Sequence, residues 1–221
     1  MLNKLLCICC LLFCSSSEVA AQTKLDSLKE VVESMPDDSL KCATFSDIAL
    51  HLYSGEESEI YAHKALDLAK KLDHPWLKAK AYHSLGWTYG FDEMDKKTAF
   101  LDSAEIIFDS LDDLDGLGLV YIANAAILLE YGSIEEAKGA IEKAYKVYVK
   151  SGNKSRQAVC LNNWGIMLNE LNKPKAAIQK FNEGLAFRLK EQPENPGNIA
   201  RLYFGLGESS RIMGDYNQAT D

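Results

Sequence analysis

The chain has 221 residues, 47% of them hydrophobic and 25% charged, with a formal net charge of −8. That much apolar material, with few Pro and Gly, specifies an ordered fold rather than a disordered chain. The acidic balance argues against a nucleic-acid backbone as partner.

The N-terminal segment 1–21 stands apart. Met1 to Lys4 is short and basic, Leu5 to Cys14 is an apolar run, and Ser15 to Ala21 ends in the small-x-small triplet Val19-Ala20-Ala21. This order predicts a secretory signal peptide over 1–21, with Gln22 as the first mature residue and an exported, periplasmic or envelope location. An ordinary buried N-terminal helix is the plainer alternative, and lipidation at Cys14 is another. The apolar run is too short for a retained membrane anchor. Four of the six cysteines lie in this segment. The other two, Cys42 and Cys160, fall in helices three repeats apart, too far for a disulfide, and read as small core residues.

After it comes helix upon helix. Lys24 to Ser34 predicts a short amphipathic helix stopped by Pro36, within an N-terminal capping segment 22–37. Helix pairs follow at 39–53 with 57–72, 76–90 with 96–111, 117–131 with 134–150, and 155–171 with 174–190. A fifth pair opens at Pro196 and is cut by Asp221, so the sequence reads as part of a longer protein. Ser54-Gly-Glu-Glu57 and Ser133-Ile-Glu-Glu136 read as capping boxes. Asn195-Pro196 reads as a cap followed by proline at the first helical position. Gly214 marks a helix end. No segment alternates in the strand-like way, so no strands are expected.

The pairs repeat. Trp164 to Ala177 lines up with Leu206 to Ala219, so Gly165 matches Gly207 and Ala177 matches Ala219 at one and the same offset. Ala137 holds the matching place one repeat before Ala177. Ala125 takes the glycine's place in that preceding repeat, and Gly86 takes it one repeat earlier. A fixed period of this size predicts a stacked array rather than an enzyme core. Small residues at Gly86, Ala125, Ala137, Gly165, Ala177, Gly207 and Ala219 would let antiparallel helices approach closely, with large residues a turn away filling the gaps.

These residues resemble the tetratricopeptide repeat (TPR). The fourth repeat supplies Leu161, Trp164-Gly165, Leu168, Ala177, Phe181 and Gly184-Leu185. The fifth supplies Tyr203, Leu206-Gly207, Gly214-Asp215-Tyr216 and Ala219. The second supplies Tyr82, Leu85-Gly86 and Tyr89, and the first Ala49 and Ala65-Leu66. The resemblance covers about 38–221, some four and a half repeats, and implies an all-α, right-handed α-solenoid of antiparallel helix pairs. Two departures stand out: a period of 37–42, and Lys96-Lys97-Thr98 where the second repeat should carry a small alanine. An exported, acidic array of this kind also resembles the sensor segments of bacterial membrane signalling proteins of the histidine kinase or transcriptional regulator type. That setting implies a membrane helix and an output domain beyond this chain. A free-standing envelope adaptor or scaffold is the second reading.

In such an array the first helices line a concave groove that binds a protein or peptide. The resemblance places Lys80, His83 and Trp87 there in the second repeat, Asn162, Asn163 and Ile166 in the fourth, and Arg201, Phe204, Glu208 and Arg211 in the fifth. Amide side chains can pair with a peptide backbone, and cations can hold carboxylates. The bland alternative is that each is a solvated or inter-helix residue. No catalytic residues, cofactor or metal are expected. His51, His63, His74 and His83 lack metal-ligand spacing, and there is no phosphate loop, nucleophile elbow or CxxC in the mature chain.

Overall fold

The computed structural model describes residues 15–52, 55–89, 93–191 and 196–214. Among them the protein is all-α, without strands. The helices are α1 (Ser15–Ser34), α2 (Ser39–Leu52), α3 (Glu56–Lys71), α4 (Pro75–Thr88), α5 (Met94–Ser110), α6 (Leu114–Glu130), α7 (Ile134–Ser151), α8 (Lys154–Glu170), α9 (Pro174–Glu191) and α10 (Pro196–Met213). Their bounds follow the sequence expectation closely from α2 onward. α1 starts earlier, at Ser15 rather than Lys24, and runs unbroken through Ala21 and Gln22, the expected processing point. Residues 1–14, and with them most of the expected signal peptide, lie outside the described residues, as do Asn195 and Ala219.

The chain forms two compact units, one up to Phe100 and one from Leu101 on. In the first, α2, α3 and α4 pack around Cys42, Phe45, Ile48, Tyr61, Ala65, Leu66, Leu77 and Leu85. α1 lies on this core through Leu25, Leu28, Val32 and Met35. Its C-terminal end is tied by Lys41, whose ammonium donates to the carbonyls of Met35 (3.1 Å) and Glu33 (3.4 Å) and pairs with Asp37 (3.1 Å). A cation at a helix C-terminus is favoured by the helix dipole and satisfies carbonyls that have no intrahelical donor. Lys64 adds a pair with Glu33 at 2.6 Å, and Lys29 one with Glu57 at 2.9 Å.

In the second unit α6 pairs with α7, and α8 with α9. α10 packs on α9 and α8. The close approaches are made by glycines facing aromatic rings. A Cβ at Gly165 on α8 would lie 2.5 Å from the ring of Phe181 on α9. A Cβ at Gly205 on α10 would strike the same ring, one at Gly116 the ring of Phe108, and one at Gly118 the ring of Tyr148. Phe181 is fully buried and Phe108 and Tyr148 nearly so. The glycine that α10 presents to Phe181 is therefore Gly205. Gly207 is half-buried, and Ala219, its expected counterpart, lies outside the described residues.

The other small positions are buried where the repeat pattern puts them: Gly86, Ala125, Ala137, Gly165 and Ala177. The matching position one repeat before Ala137 is Lys97, which is 5% exposed, in a regular α5. One repeat earlier again stands Ser58, whose hydroxyl donates to the Ala49 carbonyl at 2.8 Å. Cys42 and Cys160 are fully buried free thiols. Burial pushes them up to about 11 and about 12, and the Cys42 thiol donates to the Ala65 carbonyl at 3.2 Å.

The helix ends share one device. Asp73, Asp112, Gly132, Gly152 and Asn172 all have left-handed backbone, with φ between 47° and 75°. At each, the next residue's N–H reaches five positions back, as in His74 to Ala69, Asp113 to Phe108, Ser133 to Leu128, Asn153 to Tyr148 and Lys173 to Leu168. The left-handed residue's own N–H reaches three positions back. This is the Schellman closure, which satisfies the last carbonyls of a helix. Gly214, at φ 78°, starts the same closure after α10.

N-terminal caps differ from expectation. Ser133 stands at the start of α7 but makes no side-chain cap bond, and α3 starts after Gly55, which has no side chain to cap with. The expected capping box at Ser133 is therefore not formed; the one at Ser54 lies outside the described residues. The caps formed among the described residues include Asp113 to Gly116 N and Asn153 to Arg156 N, both 3.0 Å, and His74 Nδ1 to Leu77 N at 3.4 Å.

Candidate binding surface

In the first unit the expected groove residues sit on α4. Lys80 is half-buried, its ammonium 2.8 Å from Asp47 on α2 and over the Trp76 ring at 5.7 Å. His83 is 4% exposed and accepts a hydrogen bond from the Trp87 indole N–H at 3.2 Å. This face is therefore largely engaged in joining α4 to itself and to α2. A wetter polar cluster lies beside it, between α3 and α4. The Tyr89 hydroxyl donates to Glu59 at 2.9 Å and lies 3.2 Å from His63 Nε2, while the ring stacks on Phe100. Burial, then the Glu59 contact, push the Tyr89 phenol up to about 12.

In the second unit the expected residues divide between α8 and α10, which are latched by Ser209 Oγ donating to Asn169 Oδ1 at 2.9 Å. Ile166 on α8 is 43% exposed, and Phe204 on α10 is 72% exposed. Arg201 is exposed, and Asn162 and Asn163 are half-buried. The Asn162 carbonyl oxygen is buried and accepts no hydrogen bond among the described residues. A buried amide oxygen without a donor costs free energy. Glu208 is held by Arg211, which donates from Nε at 2.9 Å and from its terminal nitrogen at 2.6 Å. That bond holds the Glu208 carboxyl below the usual range. Tyr203, named with the repeat's pattern residues, is 54% exposed; the residues that would follow α10 lie outside the described ones. Leu202 is the inward residue of that turn, against Gly184 and Phe181.

The histidines are accounted for by the fold. His74 caps α4, His63 bonds Tyr89, His83 accepts from Trp87, and His51 Nδ1 lies 2.7 Å from the Asp47 carbonyl. No described helix is long and apolar enough to cross a membrane.

No protein-family model matches the chain, and no curated protein matches it. Among solved structures the chain is similar to BtubC (BKLC) from P. vanneervenii, with a TM-score of 0.63 and 19% sequence identity. The match covers 91% of this chain and 85% of that one. At such identity the likeness speaks for the fold alone, and BtubC is a helical protein.

Proposed function

We propose that the protein is a TPR-type, right-handed α-solenoid and a non-catalytic module that binds a protein or peptide. In this reading it forms the exported sensor part of a longer bacterial signalling protein, whose membrane segment and output domain lie beyond this chain. What supports the repeat reading is the recurrence of one helix-pair design: the same left-handed closures, and small residues at matching positions of successive repeats, from Ser58 to Ala177 with Lys97 as the exception. The observation that carries the binding reading is the α8–α10 surface. There an unpaired amide oxygen (Asn162), a guanidinium (Arg201) and exposed apolar side chains (Ile166, Tyr203, Phe204) lie on two latched helices. Aromatic residues and arginines are the types that usually dominate interface energies.

The ligand chemistry this favours is an extended peptide segment, with its backbone against the Asn162 and Asn163 amides, a carboxylate for Arg201 and an apolar side chain for Phe204. The test is selection from a displayed peptide library on the full chain, followed by titration of a selected peptide. Replacing both Asn162 and Arg201 by alanine should weaken binding by about 1–3 kcal/mol, the scale of hydrogen bonds to charged or buried groups. Helicity should be unchanged. Equal affinities for the two proteins would remove binding from this surface.

A further inference from the structure

The charge along the second unit is sharply divided. Residues 98–137 carry nine acidic side chains and no Lys, Arg or His. Residues 138–190 carry eleven basic and three acidic ones, a net of +8. This division is hidden in the whole-chain value of −8, and it falls on exposed helix faces rather than on turns alone.

On α5, Asp102, Ile106 and Asp109 occupy one exposed face at i, i+4 and i+7 spacing, and the stripe continues into Leu111 and Asp112. Ile106 is 70% exposed and Leu111 42%. On α7 one repeat on, Lys146, Val149 and Lys150 are exposed, with Val149 51% exposed and the half-buried Glu142 standing at the place of Asp102. Among the described residues none of Asp102, Asp109, Asp112, Lys146 and Lys150 makes an ion pair. The two helices are bridged through α6. Its Gly116 lies against Phe108 of α5, and its Asp115 accepts hydrogen bonds from Ser151 (2.8 Å) and Asn153 (2.9 Å) at the end of α7. The stripes are thus exposed faces of successive second helices, the first acidic and the second mainly basic, each with apolar residues beside its charges. An apolar centre with a polar rim is the usual anatomy of a protein interface.

We propose that these two stripes form a self-association surface, through which two copies of the chain meet with the acidic stripe of each on the basic stripe of the other. Neighbouring stripes of opposite sign suit a two-fold pairing, because one rotation brings both complementary contacts together. Opposite charge sets the orientation and speeds encounter. Ile106, Leu111 and Val149 supply the apolar area. A copy meeting itself with like stripes opposed sets like charges against each other.

The test is the mass of the full chain in solution, by light scattering and sedimentation. One measurement is made in about 0.01 M salt, where charges act over roughly 30 Å, and one in about 1 M, where the reach is roughly 3 Å. The expected result is a mass rising from 24.6 kDa towards twice that with concentration at low salt, and falling back at high salt. Two charge-swapped proteins complete it: Asp102→Lys with Asp109→Lys, and Lys146→Glu with Lys150→Glu. Each should remain a single copy alone, because its two stripes now share a sign. Mixed in equal amounts, the two should associate at low salt. All four positions are exposed, so circular dichroism should be unchanged. A wild type that keeps the mass of a single chain throughout overturns the proposal, even if the basic stripe then binds vesicles of anionic phospholipid. So do swapped variants that associate as the wild type does, or a mixture that fails to associate.

Discussion

Gly165 is where the helix-pair design can be tested most directly. A Cβ there would lie 2.5 and 2.6 Å from two carbons of the Phe181 ring, against 3.4 Å or more in ordinary contact. The ring would have to move by roughly 1 Å in an interior packed at crystal density. It has nowhere to go, because Gly205 already presses it from α10 and Phe181 is fully buried. Gly165→Ala should therefore incur about 1–3 kcal/mol of overpacking. Against this stands the helix-propensity gain of about 0.8–1.0 kcal/mol on replacing a mid-helix glycine by alanine. The net expectation is a loss of about 0–2 kcal/mol. The control is Gly139 on α7, where a Cβ meets nothing within 4 Å. Gly139→Ala should instead raise stability, by up to about 1 kcal/mol. Urea unfolding gives both values, provided the slope is unchanged. Combining Gly165→Ala with Phe181→Leu should be non-additive by about 0.5–3 kcal/mol, because the shrunken side chain relieves the clash. Were Gly165→Ala to raise the urea midpoint as much as Gly139→Ala does, the glycine–aromatic notch would not be a packing constraint.

Two further outcomes follow from the caps and from Tyr89. Asp113→Ala and Asn153→Ala should each lower stability by about 0.5–2 kcal/mol in the same urea assay. Ser133→Ala should stay within about 0.5 kcal/mol, since its hydroxyl caps nothing; a loss equal to that of Asp113→Ala would contradict the cap assignment. Tyr89 should make the protein alkali-sensitive. Its folded pKa is raised from the ordinary 10 to about 12. The neutral phenol is therefore favoured by folding, and its contribution is complete below pH 10 and lost as pH rises through 12. Tyr89→Phe should lose the Glu59 hydrogen bond, about 0.5–1.5 kcal/mol at neutral pH. It should also show a shallower fall in stability between pH 10 and 12, with phenolate absorbance and circular dichroism followed together. An unchanged slope would place the alkaline sensitivity elsewhere.

The helices from α2 onward are legible in the sequence because each carries a buried face at helical spacing, and turn residues bound each one. The close approaches are less so. Gly165 follows from its place in the repeat, and the ring it meets is Phe181, one turn along α9 from Ala177. Gly116, Gly118 and Gly205 carry no such signal, because a glycine's meaning here depends on a ring from a different helix. The site is legible only in part for a related reason. Helix periodicity says which side chains share a face, not which neighbour covers that face. His83 and Trp87 share a face with Lys80, yet α4's packing hides the first and ties the second to it. Ile166 and Phe204 stand on equivalent helices of later repeats and remain open.

The turns carry the same lesson at the backbone level. Gly132, Gly152 and Gly214 announce a left-handed residue, but Asp73, Asp112 and Asn172 adopt that conformation without glycine's freedom. Asp and Asn tolerate it better than other side chains do, and the two back-reaching hydrogen bonds at each turn offset the strain. A search for glycine alone finds half the series. The full series recurs at Asp73, Asp112 and Gly152 between pairs and at Gly132, Asn172 and Gly214 within them, each step close to one repeat in length. The repeat is therefore more regular in its backbone than in its side chains. Sequence can drift at each turn so long as the residue there tolerates positive φ, and it is this tolerance that lets the same helix pair recur while Lys97 stands in an alanine's place.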